Sequence, residues 1–184
     1  MGDVRVRGST VRAYLKLVDE DPAKAALLAL LPPATMALFA APPLPSSWVE
    51  WEPILHITAA MEKLGGPVAV RRLAGRAINE AKGPHIRILE GLLRLFGASP
   101  ASIFGRFNHL VKNAMQNVEF IYMPTSERSG MMEVHYHANG EVPGYIFWGA
   151  VQVLTSVLQS CGKTGRVSDP QRLSPTAAVY RIEW

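Results

Sequence analysis

Gly144-Tyr-Ile-Phe-Trp-Gly149, Cys161-Gly-Lys-Thr-Gly165 and Ala178-Val-Tyr-Arg-Ile-Glu-Trp184 punctuate the stretch on which the reading of this chain turns. Between the first two, Pro143–Cys161 is a long apolar run with helical spacing, and Pro143 suits its entry. The glycines after Cys161 stop it. Two strands close the stretch, at about Gly165–Ser168 and Ala177–Trp184. A helix handing over to strands at a glycine turn points to a mixed architecture.

Upstream, the period changes from helical to alternating at about Asn117. Val118, Phe120 and Tyr122 alternate with Glu119 and Ile121; Met132, Val134 and Tyr136 alternate with Glu133, His135 and His137. Period-two patterns on either side of the polar connector Pro124–Gly130 predict an antiparallel hairpin. Asn139-Gly140 marks a further turn.

Everything before the hairpin reads as helix. Ser9 is the expected N-cap of a helix through Val18, with Val11, Leu15 and Val18 as its apolar stripe. Pro22–Leu31 and Ala34–Phe39 follow, and Pro42-Pro43-Leu-Pro45 is an extended connector. Pro53–Leu64 carries Ile54, Ile57 and Met61 on one face and ends at Gly65-Gly66. Pro67–Ala81 carries Val70, Leu73, Ala74 and Ile78. Pro84–Phe96 comes next, with Gly97 as its stop. Ser99-Pro100 opens a last helix whose inner face is Ile103, Phe107, Leu110 and Val111. Helices and strands are segregated, so the fold class is α+β: an N-terminal helical layer packed on a small antiparallel sheet with a long C-terminal helix. One domain over residues 1–184 is expected, helical to about 115, then hairpin, helix and two strands over 116–184.

Composition narrows the function classes. The chain has 184 residues, 48% of them hydrophobic and 18% charged, which is enough for a core. One cysteine, Cys161, excludes an intramolecular disulfide and a zinc site of several thiolates, and a reducing, cytoplasmic compartment is expected. The apolar run Ala25–Ala41 is split by Pro32-Pro33 and preceded by Asp19, Glu20 and Asp21. It reads neither as a membrane span nor as a signal peptide. The net charge of +4 is scattered. Arg71, Arg72 and Arg76, with Lys82, Arg87 and Arg94, are interrupted by Glu80 and Glu90 and read as a solvated face, so nucleic acid is not an expected partner.

The residue order resembles a superfamily of small-molecule sensory domains, the 4-vinyl-reductase-type and heme-NO-binding-like domains, which also includes trafficking proteins of the TRAPP type. Within it the chain is similar to a group of about this length found largely in myxobacteria and without an assigned function. The residues that carry the resemblance are Trp48 after the proline connector, Leu73-Ala-Gly-Arg76 within a helix and Ser99-Pro100. Gly144 and Gly149 around an aromatic cluster, and Val179–Trp184, complete them. The resemblance implies a pocket between the helical layer and the sheet, a homodimer, and a signal passed to a separate output protein. Two departures matter. Zinc-binding relatives carry cysteines where this chain has Val167–Ala178 without one. Heme-NO sensors hold heme propionates with Tyr-x-Ser-x-Arg, and Tyr122-Met-Pro-Thr-Ser-Glu-Arg128 has a different spacing. Neither zinc nor heme carries over, and no cofactor is expected.

Local chemistry adds little beyond this. Glu133, His135 and His137 share one strand face and are candidate metal ligands, but strand periodicity alone accounts for them as the polar side of a half-buried strand. His56, His85 and His109 are isolated, with His56 placed to reach a pocket. No nucleophile has a recognisable frame. Gly162-Lys163-Thr164 resembles the end of a phosphate loop, yet Val157 stands where the upstream glycine belongs and the segment ends a helix. The aromatic residues Trp48, Trp51, Phe104, Phe107, Tyr145 and Trp148 are the candidate ligand-binding set, since aromatic rings suit either a core or an apolar pocket. The expected function is therefore a non-catalytic sensory or regulatory domain binding a small apolar or amphipathic molecule. A protein-interaction module with a filled core is the alternative. A metal-dependent enzyme using Glu133, His135 and His137 is a distant third.

Overall fold

The computed structural model describes residues 3–81 and 99–184. The predicted helix Pro84–Phe96, with His85, Arg87 and Arg94, lies outside them, as does Lys82.

The first helix, α1 (Gly8–Asp19), buries Val11, Leu15 and Val18 as its spacing predicts. Its N-terminus is handled differently from the expected Ser9 cap. Gly8 and Ser9 donate their backbone N–H groups to Ser47 and Pro45 carbonyls at 2.8 and 3.0 Å. The proline connector thus satisfies first-turn donors that a side chain would otherwise cap. A Cβ at Gly8 would collide with the Leu44 carbonyl, so this approach requires glycine. The second helix, α2 (Lys24–Leu28), is shorter than predicted. Asp21 Oδ1 accepts the Ala23 N–H at 2.8 Å and holds the entry as a turn. At Leu30 and Leu31 the bonds tighten to the i→i+3 pattern. The third, α3 (Pro33–Ala40), starts on proline.

Three short strands are threaded through this helical half: β1 (Arg5–Arg7), β2 (Trp48–Glu50) and β3 (Met115–Gln116), antiparallel in the order β2-β1-β3. The next helix, α4 (Glu52–Ala81), joins the two predicted helices across Gly66, whose φ of 62° and ψ of −164° are not helical. Pro67 follows and contributes no N–H, so the two halves meet at an angle. The last two helices of this half are α5 (Pro100–Gly105) and α6 (Phe107–Val111). Here Phe104 and Phe107 point inward and Leu110 lies in solvent, because the break at Arg106 shifts the phase of the expected stripe.

The hairpin pairs β4 (Val118–Ser126) with β5 (Ser129–Tyr136) in the predicted alternation. The strands run further than expected, into the Pro124–Gly130 connector. A register shift between Pro124 and Ser126 absorbs the proline, which cannot donate to the ladder. The sheet is completed by β6 (Arg166–Val167), β7 (Gln171–Ser174) and β8 (Ala177–Glu183), in the order β4-β5-β8-β6 with β7 also on β8. Its inner face presents Phe120, Val134, Ala178, Tyr180 and Ile182 to the helices.

The long C-terminal helix, α7 (Gly144–Ser160), lies against α4. A Cβ at Gly75 would stand 2.7 Å from the Gln152 side chain, so the glycine admits that side chain into the interface. Tyr180, fully buried, donates to the Phe147 carbonyl at 2.9 Å and ties the sheet to α7. At the end of α7, Gly162 has a φ of 67°. Gly162 and Lys163 donate back to the Gln159 and Leu158 carbonyls at 3.0 and 3.1 Å. This is the glycine helix stop with its paired bonds. Trp184 closes the chain by donating its N–H to the Arg128 carbonyl and resting its ring near Phe104. No helix among the described residues is long and apolar enough to cross a membrane.

Candidate ligand cavity

Between α1, α4, α7 and the inner face of the hairpin lies a cavity of about 320 Å³. Its wall is apolar for a reason set by the sequence. The helix faces that meet here carry Ile54, Val70, Ala74 and Ala77 on α4 and Ile146, Ala150 and Val153 on α7. Small residues (Ala74, Ala77, Gly149, Ala150) leave room where larger ones would close the gap. Val6, Val111, Met115 and Phe120 complete the wall from the strands and α6.

Among the described residues, the apolar lining is interrupted by the hydroxyls of Thr10, Tyr14, Thr58, Tyr136 and Tyr145 and by the indole N–H of Trp51. No described lining residue carries a charge. Tyr136 stacks on Trp51 at 5.2 Å between ring centroids and meets Phe147 edge-on at 5.6 Å, so its ring is fixed on both sides. Burial pushes the Tyr14 phenol up to about 12. Burial also raises Tyr136, and the neighbouring Tyr14 adds to it. Tyr145 is raised by burial and then by Glu62. All three are neutral hydrogen-bond donors at neutral pH. Thr58 is 4% exposed, and its Oγ1 has no hydrogen-bond partner. The hydroxyls of α7 behave otherwise: Thr155, Ser156 and Ser160 each bond the carbonyl four residues back, at 2.8 to 2.9 Å.

Of the aromatic residues singled out in the sequence, Trp51 and Tyr145 stand on this wall. The other four lie elsewhere. Trp48 is in β2 with the Arg7 guanidinium 4.1 Å over its ring. Trp148 faces away from the cavity toward Arg71, 4.4 Å from its centroid, and Arg71 bonds Asp169 at 2.6 Å. Phe104 and Phe107 form a separate cluster with Phe120, Tyr122 and Trp184 against the sheet. One residue in a helix turns the ring about 100°, so sequence neighbours such as Phe147 and Trp148 serve different surfaces. Tyr14, Thr58 and Tyr136 were not in the aromatic candidate set. The available signal for Thr58 was its place between Ile54 and Met61, a polar residue on an apolar stripe.

The histidines take other roles. His56 Nδ1 pairs with the buried Thr35 hydroxyl at 2.8 Å, joining α4 to α3, and does not line the cavity. His135 Nε2 and Glu133 lie 2.8 Å apart on the outer side of β5. His137 instead faces Glu119 at 3.8 Å. Glu119 is the cross-strand partner of His135, so His137 stays on the outer face that alternation gives it, paired diagonally across the hairpin. No group of three or more metal-ligating side chains occurs among the described residues. His109 is exposed on α6. Arg71 and Arg76 are held by Asp169 and Glu20. Cys161 is buried, and burial raises its thiol.

No family model and no curated protein matches the sequence. Solved structures do match by shape. The Fe(II) unliganded H-NOX protein from K. algicida superimposes with a TM-score of 0.67 at 8% identity, over 96% of this chain and 95% of that one. An oxygen-binding H-NOX domain related to soluble guanylate cyclases, in its oxygen complex, gives 0.61 at 10% identity over 96% and 94%. A Cs H-NOX variant gives 0.60 at 11% identity over 96% and 95%. The chain therefore has the H-NOX fold, an α+β arrangement.

The described lining of the cavity offers heme neither a histidine or cysteine ligand nor a cationic partner. An axial ligand would be histidine, cysteine, methionine or tyrosinate. The described lining holds no histidine or cysteine. Among the described residues, the axial candidates are the phenols of Tyr14, Tyr136 and Tyr145 and the Met115 thioether. No arginine or lysine among these residues faces the cavity to pair with propionate carboxylates.

Proposed function

We propose that this chain is a non-catalytic sensory or regulatory domain that takes a small apolar or amphipathic molecule into the cavity between its helices and sheet. The observation that carries this reading is the cavity itself. Its volume of about 320 Å³ falls in the range of roughly 300–1,000 Å³, lined by apolar groups with few polar ones, that is usual for a small-molecule site. The binding residues of this reading are Tyr14, Trp51, Thr58, Tyr136 and Tyr145. Likeness in fold to sensory domains supports it. So does the resemblance to the 4-vinyl-reductase-type superfamily and its myxobacterial group.

The same geometry supplies a route for signal. Ile54 and Thr58 line the cavity from the first half of α4, and Val70, Ala74 and Ala77 line it from the second. The kink at Gly66 lies between them. A ligand touching both halves favours the angle at which both contacts are made, and so shifts the population toward that packing. The outward readout passes to a separate protein, with a homodimer of single-domain chains in the cytoplasm as the working assembly.

Native mass spectrometry of the full chain, purified without organic solvent, tests the reading. A bound small molecule that leaves on denaturation is expected. The bare chain mass, together with an experimental structure in which side chains close the cavity, would favour the interaction-module alternative.

A further inference from the structure

The Thr58 hydroxyl, on a residue of the described cavity wall, is fully enclosed and has no partner. A hydroxyl on a helix ordinarily bonds the carbonyl four residues back, as all three on α7 do. Leaving it unmade in an apolar interior costs free energy comparable to a lost hydrogen bond. The phenols of Tyr14 and Tyr136 reach the same cavity, and neither makes a protein hydrogen bond among the described residues. Several hydroxyl donors without protein acceptors therefore share one apolar space. None of the described lining residues is acidic or basic, so none of them offers a counter-charge to an ionic group placed there.

From this we infer that the ligand is an uncharged molecule, mostly hydrocarbon, with a single oxygen acceptor such as a ketone, aldehyde or ester carbonyl that receives a hydrogen bond from Thr58 and the adjacent phenols. The inference rests on the proposed ligand-binding role of the cavity and goes beyond it by fixing the head group. Size follows from volume. A dry cavity of roughly 150 Å³ holds benzene, so about 320 Å³ holds a skeleton of about two fused rings or its acyclic equivalent. The carbonyl excludes a fatty acid anion and an alkylammonium, both of which need a counter-charge. It also separates this site from one that binds pure hydrocarbon, since a hydrocarbon would leave Thr58 unsatisfied.

The test is a matched series on the full chain: naphthalene, 2-acetylnaphthalene and 2-naphthoate, with affinities read by isothermal titration or ligand fluorescence. The ketone is expected to bind roughly 2- to 13-fold more tightly than naphthalene, the worth of one net hydrogen bond. The carboxylate is expected to bind more weakly than either. In Thr58→Val, which keeps the shape and removes the hydroxyl, the ketone's advantage should shrink to less than 2-fold while naphthalene affinity holds. Should that variant fail to fold, Tyr14→Phe reads the same loss from the α1 side of the cavity. Equal binding of ketone and hydrocarbon by the unmodified chain, or tightest binding of the carboxylate, would overturn the head-group inference and leave the cavity's ligand-binding role standing. Failure of all three compounds to bind would overturn that role as well.

Discussion

Gly66→Ala probes the join on which both the fold of α4 and its signalling role depend. Gly66 sits at φ 62° and ψ −164°. That region is open essentially to glycine alone, and another residue held there costs about 1–3 kcal/mol. Pro67 removes the easy escape, because the residue before a proline is confined to extended conformations with negative φ. No atom lies within 4 Å of the added Cβ, so the cost is purely one of backbone conformation. Alanine also orders the unfolded chain less expensively, returning roughly 0.4–1 kcal/mol at compatible sites and less than that here. The net loss is about 1–2 kcal/mol, equivalent to a Tm roughly 2–8 °C lower for a chain of this length. Urea unfolding and thermal melts followed by far-UV circular dichroism measure it. Gly105→Ala is the control: Gly105 ends α5 without a positive φ and with open space around its Cβ, so no loss is expected. Stability of Gly66→Ala equal to or above that of the unmodified chain would mean that α4 runs helically through residue 66, and the two-segment account would fail.

Other outcomes follow from the packing. Tyr180→Phe removes the 2.9 Å bond to the Phe147 carbonyl and should cost about 1 kcal/mol in urea unfolding; an unchanged midpoint would show that the phenol does not tie β8 to α7. Phe104→Ala removes a ring that meets Phe107, Tyr122 and Trp184, at about 3–5 kcal/mol, and a loss below 1 kcal/mol would argue against that cluster as core. The Tyr14 phenol ionises at about 12 in the folded chain and at 10.0 in the unfolded one. Above pH 10 the unfolded state therefore holds fewer protons than the folded state. The phenol's contribution is fully present below pH 10 and is lost by pH 12, a loss of up to roughly 3 kcal/mol. Tyr14→Phe should flatten that fall in pH-dependent denaturation, and an identical fall in the variant would contradict the burial assigned to this phenol.

Much of the frame was legible because its signals are local. Gly65-Gly66-Pro67 breaks a helix by backbone chemistry alone, and Gly162 stops one in the same way. The alternation of β4 and β5 follows from one buried face. The strands β1, β2 and β3 were not legible, since two or three residues cannot show a period. β7 is exposed along its length, so no buried face marks it. At the site, Trp51 and Tyr145 carry an aromatic signature that sequence can display. Thr58 is defined by a bond it does not make, and Tyr14 and Tyr136 by which elements the fold brings opposite them. Those are properties of tertiary packing.

The central claim is that the space between α4, α7 and the hairpin receives a ligand. It is tested most directly by titrating naphthalene and 2-acetylnaphthalene into the unmodified chain and into Val153→Trp, which fills the cavity from α7. The account predicts saturable binding at a single site by the unmodified chain, and loss of that binding in a variant whose circular dichroism remains native. Binding that survives Val153→Trp unchanged, or none by the unmodified chain, would contradict it.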